Sequence, residues 1–166
     1  MKKETVVVIA CAVGIGVFAL KDVFLSSDEK KIERLLDQIE ESLELDEPLK
    51  PMALAGRLNT LSKLVAPDIA IEAEIKSQPR GEWKGFDSIK TGALIASRVV
   101  YSHTLARLRT DIQIIGSTAK ADFQVLSTGT DSNKESFRER VDVQMEFSEV
   151  DSEWTVQSIS VTHDGA

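Results

Sequence analysis

APDIAIEAEIK, residues 66–76, is where the chain changes period. Ile69, Ile71, Ala73 and Ile75 fall on one side, and Ala70, Glu72, Glu74 and Lys76 on the other. That is the alternation of a strand with one buried face. Upstream the period is helical. Leu54, Leu58, Leu61 and Val65 follow Pro51, which suits the first turn of a helix, and Pro67 stops the run. Earlier still, Ile32, Leu35, Leu36, Ile39 and Leu43 form one stripe, with Ser26 and Glu29 spaced as a capping box. Pro48 and Pro51 separate the two helices.

Downstream, a third helix is expected over about 87–100, with Ile89, Ala93, Ala96 and Val100 on one side. Alternation then returns. Ala106, Leu108, Thr110, Ile112 and Ile114 are expected to face inward, with Arg107, Arg109, Asp111 and Gln113 outward. Ala119, Ala121, Phe123 and Val125 continue the inward set, as do Val141, Val143, Met145 and Phe147 beyond the polar loop 129–135. Trp154, Val156, Ile159 and Val161 close it, and their parity slip near Gln157 predicts a bulge. The order predicts an α+β domain of three helices packed on a curved antiparallel sheet.

The 166 residues carry 27 acids against 20 bases, for a net charge of −7, which argues against nucleic acid as a partner. Residues 26–47 hold nine of those acids and three bases, so most of the charge sits on the first helix. A solvated acidic face is the expected reading. One cysteine excludes an intrachain disulfide, and with only two histidines no Cys/His zinc site is expected. No metal or other cofactor is expected.

Residues 5–20 carry no charge and, with Val23, Phe24 and Leu25, extend the apolar run to residue 25. As a helix, residues 5–25 span about 31 Å if Lys21 reaches the headgroups and Asp22 pairs with it. The expected organisation is a transmembrane anchor over 1–25 and a folded domain over 26–166. A signal cleaved after Ala10-Cys11-Ala12, or a lipid attached at Cys11, would leave too short an apolar core before the site. The four-residue N-terminal tail with Lys2 and Lys3 points to a single pass through the cytoplasmic membrane of a bacterium, with the domain outside. The lipid bilayer is thus the first expected partner.

Several landmarks are similar to the nuclear transport factor 2-like superfamily, which includes ketosteroid isomerase-like and SnoaL-like proteins. Residues 66–72 resemble the motif that opens its first strand. Ser77-Gln78-Pro79-Arg80 with Gly85-Phe86-Asp87-Ser88-Ile89 resembles its loop into the third helix, and residues 116–119 and 153–159 resemble its last hairpins. The resemblance covers about residues 28–163 and implies a cone-shaped domain. In the isomerase branch it implies a base on the first strand and an oxyanion-binding acid on a later one. Those positions fall on Ala73 and Val143, so isomerase chemistry of that type is not expected.

The remaining candidates for a ligand-binding mouth are Trp83, as a lid, and Tyr101 and His103, at the junction of the third helix with the sheet. His163 is expected in a frayed tail. The outer face, with Arg107, Arg109, Lys120, Arg138 and Arg140 among Asp111, Asp122, Asp142 and Glu146, is expected to be solvated. The resemblance implies a protein partner or homodimer through it. The leading expectation is a membrane-tethered, non-enzymatic interaction or small-ligand-binding module. The alternative is a SnoaL-like small-molecule enzyme using Tyr101, His103 or Glu82. A plugged cone would favour the former, and an open one with convergent ionisable groups the latter.

Overall fold

The computed structural model describes residues 27–47, 50–75 and 80–163. The apolar run 5–25, on which the anchor reading rests, lies outside the described residues. Among those that are described, no helix is long and apolar enough to cross a membrane.

Three helices cover one face of a six-stranded sheet. In chain order the elements are α1 (Ser27–Leu43), α2 (Pro51–Leu64), β1 (Val65–Ile75), β2 (Gly81–Lys84), α3 (Phe86–Val99), β3 (Val100–Ile115), β4 (Thr118–Asp131), β5 (Ser136–Val150) and β6 (Glu153–His163). Pro51 opens α2, as its fixed φ and missing N–H allow. Gly85, at φ 82°, makes the turn from β2 into α3 in a backbone region that side chains disfavour.

The sheet order is β2-β1-β6-β5-β4-β3. It is mixed rather than antiparallel, because β1 pairs in parallel with β6. Side-chain alternation is the same in either pairing, so the pattern did not carry this distinction. Pro67, which lacks an N–H to donate, sits in the irregular step of that pairing between Val65 and Ala70.

The stripe on α1 does what its spacing predicts. Ile32, Leu35, Leu36 and Ile39 are buried among Phe123, Val143, Met145, Phe147 and Val156. Burying each such side chain is worth about 1.5–3 kcal/mol as an upper estimate. Leu43, at 43% exposure, departs from the expectation, because it stands at the rim of the cavity described below.

Two bulges set which residues face the helices. Gln157 is the extra residue between the pairs Glu146–Ser158 and Phe147–Val156, as the parity slip predicts. In β3, Arg109 and Thr110 stand opposite Phe123 alone, since Leu108 pairs with Gln124 and Asp111 with Asp122. Arg109 takes φ 52° to make this step. The expected parity therefore holds only downstream, at Ile112 and Ile114. Upstream it reverses: His103, Leu105 and Arg107 face inward, while Ala106 and Leu108 share the outer face.

Arg107 thus leaves the outer set to which alternation had assigned it. On the outer face, Gln124 Nε2 donates to Asp142 Oδ1 at 2.8 Å and Gln144 Nε2 to Asp122 Oδ1 at 2.9 Å. His163 is not in a frayed tail. It ends β6, with Nε2 3.3 Å from Glu139 Oε2.

Candidate functional site

The inward side chains do not plug the space between sheet and helices. They leave a cavity of about 390 Å³, walled by the C-terminal half of α1, by Leu54, Arg57, Leu58 and Leu61 of α2, by Ala93, Ala96 and Ser97 of α3, and by the sheet. Of 23 lining residues, 18 are apolar. Phe123, Val143, Val161 and Ala73 form one cross-strand row, and the first three of them line the cavity. Ala73 and Val143, the positions to which the sequence resemblance assigned a base and an acid, therefore belong to an apolar row. Glu40, Ser42, Arg57, Ser97 and His103 are the polar lining residues.

His103 is positioned by backbone and side chain together. Strand β3 is the edge of the sheet, and Leu45 pairs with it just beyond α1: each of Leu45 and His103 donates its N–H to the other's carbonyl at 2.7 Å. Glu44 Oε1 accepts from the Leu105 N–H at 3.1 Å. The imidazole Nε2 lies 2.7 Å from Ser127 Oγ, and its ring sits 6.1 Å from that of Phe137. Arg57 donates to the carbonyls of Ser42 and Glu44, satisfying groups that the end of α1 leaves unpaired.

The strongest electrostatic feature lies beside the cavity. Arg107, with its side chain only 10% exposed, meets three carboxylates one and two turns apart on α1. They are Glu33 at 3.2 Å, Asp37, and Glu40 at 2.9 Å. This clasp fastens α1 to the sheet. Burial pushes the Glu40 carboxyl above the usual carboxylate range; Arg107 pulls it down, and Asp37, Glu44 and Glu33 push it further up.

Of the three residues proposed from sequence, only His103 lines the cavity. Tyr101 is the extra residue between the pairs Val100–Asp131 and Ser102–Thr130, and it is exposed. Trp83, half exposed on β2, lies with its ring against Gly81, where it leaves no room for a Cβ. Glu82 is exposed on the same short strand. Sequence reading missed Glu40 and Arg57. The acids at 33, 37 and 40, which lie beside the apolar stripe with i, i+4, i+7 spacing, were the available signal for an inward cation. Among the described residues no group of three or more His, Cys, Asp or Glu is placed to hold a metal ion.

No protein-family model and no curated protein matches the sequence. Solved structures do match the fold. A Nostoc punctiforme protein of unknown function with a cystatin-like fold superposes with TM-score 0.64 at 14% identity, over 86% of this chain and 96% of that one. The hexachlorocyclohexane dehydrochlorinase LinA-type3 of Novosphingobium barchaimii gives 0.61 at 13% identity, over 84% and 88%. A nuclear transport factor 2-like superfamily protein of Salmonella enterica gives 0.60 at 13% identity, over 82% and 88%. The chain is similar to these in fold, and that fold carries both enzymes and proteins without assigned activity.

Proposed function

We propose that this chain is a small-ligand-binding module of the nuclear transport factor 2-like fold, tethered to a membrane by residues 5–25. The observation that carries the ligand reading is the cavity: open, about 390 Å³, and apolar at 18 of 23 lining residues. Burial of apolar ligand surface supplies the affinity in such a site, and a few polar groups supply orientation. Its ionisable residues are tied to separate partners, Glu40 to Arg107, Arg57 to two carbonyls and His103 to Ser127, which favours binding over acid/base chemistry. The tether rests on the length and charge pattern of the run, which ends two residues before α1.

A second reading has one observation in its favour. The His103 imidazole lines the cavity, and a neighbour of the same fold is named as a dehydrochlorinase. In this reading His103 takes a proton from a bound substrate while Ser127 orients the ring.

The ligand reading is tested by titration of the full chain, in lipid nanodiscs, with the neutral dye 6-propionyl-2-dimethylaminonaphthalene. The expected result is a saturable blue-shifted emission over that of empty nanodiscs. Val143→Trp, which fills the cavity, abolishes it, and His103→Phe retains it. Equal signals from wild type and Val143→Trp would overturn the ligand reading.

A further inference from the structure

We propose that the two hairpin turns beside the start of α1 rest on the bilayer surface through Ile115 and Val150, so that the cavity opens to water on the side away from the membrane. The proposal rests on the tether reading above and goes beyond it by orienting the domain.

The apolar run ends at Leu25 and α1 begins at Ser27. With Ser26 alone between them, the start of α1 stays within a few ångströms of the point where the run leaves the bilayer. Early in α1, Lys31 Nζ stands 3.6 Å from Glu149 Oε1, beside the β5–β6 turn. The Glu149 N–H donates to the Ser117 carbonyl, in the β3–β4 turn, at 2.8 Å. Both turns are thereby held at the end of the sheet nearest the tether. Ile115, 78% exposed, and Val150, 62% exposed, border those two turns. Single exposed apolar side chains are ordinary on a protein surface. These two are set apart by their shared place next to the tether.

From that end α1 leads away along β3. Glu33, Asp37 and Glu40 meet Arg107, then Glu44 reaches the Leu105 N–H, and Leu45 pairs with His103 at the cavity. The 17 residues of α1 cover about 25 Å. Leu43 at its far end and Met52 at the start of α2 are that far from the tether. Standing the domain on its cavity end would lift the start of α1 off the bilayer by the same length, which Ser26 cannot bridge. Charge supplies no other hold on lipid, since Asp28, Glu29, Glu149, Asp151 and Glu153 outnumber Lys30 and Lys31 at the tether end. The contact is therefore apolar and needs no anionic lipid. Two side chains suffice because the tether makes the contact intramolecular.

The test is collision-accessibility measurement on nitroxide labels in the full chain, in phosphatidylcholine nanodiscs, with the one cysteine removed by Cys11→Ser. Labels are carried at Ser117→Cys, in the β3–β4 turn, and separately at Met52→Cys. Oxygen concentrates in lipid, and nickel(II) ethylenediaminediacetate stays in water. The expected result is a higher ratio of oxygen to nickel collisions at residue 117 than at residue 52. Ile115→Asp with Val150→Asp is expected to abolish that difference. Thermal unfolding checks the fold of the double variant, and the comparison of the two labels stands without it. Equal ratios at the two labels, a higher ratio at residue 52, or a difference that survives the double substitution would overturn the proposal and leave the tether in place. A chain that does not co-purify with the discs would remove tether and contact together.

Discussion

Strand β3 is two strands in sequence logic, joined at Arg109. Downstream, Ile112 and Ile114 face the helices and Asp111 and Gln113 face out, as simple alternation requires. Upstream, His103, Leu105 and Arg107 face the helices, although alternation from the downstream half puts them outside. One extra residue accounts for the whole difference. It turns a face expected to be apolar into one that carries an imidazole at the cavity and a guanidinium under α1. A bulge inside a long edge strand therefore decides where the polar groups of this cone are.

Deleting Arg109 attacks that comparison most severely. It forces the upstream half back into the downstream parity, burying Ala106 and Leu108 and expelling Leu105 and Arg107. The expected outcome is loss of the cooperative thermal transition by circular dichroism. A folded deletion variant would mean that the two halves are not tied by register.

The two arginines on either side of Leu108 provide the next contrast. Arg107→Ala leaves Glu33 and Glu40 in a largely buried cluster without their cation, and is expected to cost about 3 kcal/mol in urea unfolding. Arg109→Gly should stabilise by up to about 1 kcal/mol, because glycine accepts φ 52° without steric cost. Equal effects at the two positions would contradict the bulge.

Acidity sharpens the contrast further. Because its folded-state pKa is raised, ionised Glu40 opposes folding, so its penalty is absent at low pH and appears as pH rises through the raised value. Glu40→Gln should therefore gain stability relative to wild type between pH 4.5 and pH 8. A constant difference in paired urea melts would show that Glu40 is not held high. The smallest effect belongs to the outer face of the downstream half, where Asp111 stands directly opposite Asp122. Asp111→Asn removes a like-charge pair and is expected to stabilise by a few tenths of a kcal/mol in the same melts.

What was legible in the sequence follows from which signals survive a register change. The α1 stripe, the helical run after Pro51, the change to period 2 at Ile69 and the bulge at Gln157 all read correctly, because apolar side chains mark each of them. The bulge at Arg109 did not. Ala106, Leu108, Thr110, Ile112 and Ile114 keep an unbroken alternation through it, and the residue at positive φ is not a glycine. The parallel pairing of β1 with β6 was invisible, since it lies in chain direction and not in side-chain pattern. His103, proposed for its chemistry and its place at the helix–strand junction, is among the residues that line the cavity. Tyr101 was drawn away from the cavity by a second bulge within β3, and Trp83 by packing on Gly81. Glu40 was passed over as one more acid on an acidic helix.

The central claim is that a small apolar ligand enters the cavity between the helices and the sheet. The chain has three methionines, of which Met145 lines the cavity and Met52 stands 87% exposed on α2. Methyl-labelled methionine spectra of the full chain, recorded while 1-naphthalenemethanol is added, report on the two sites separately. The account predicts a saturable ring-current shift of the Met145 methyl with Met52 unmoved. A stationary Met145 resonance at saturating probe, with or without movement at Met52, would contradict it.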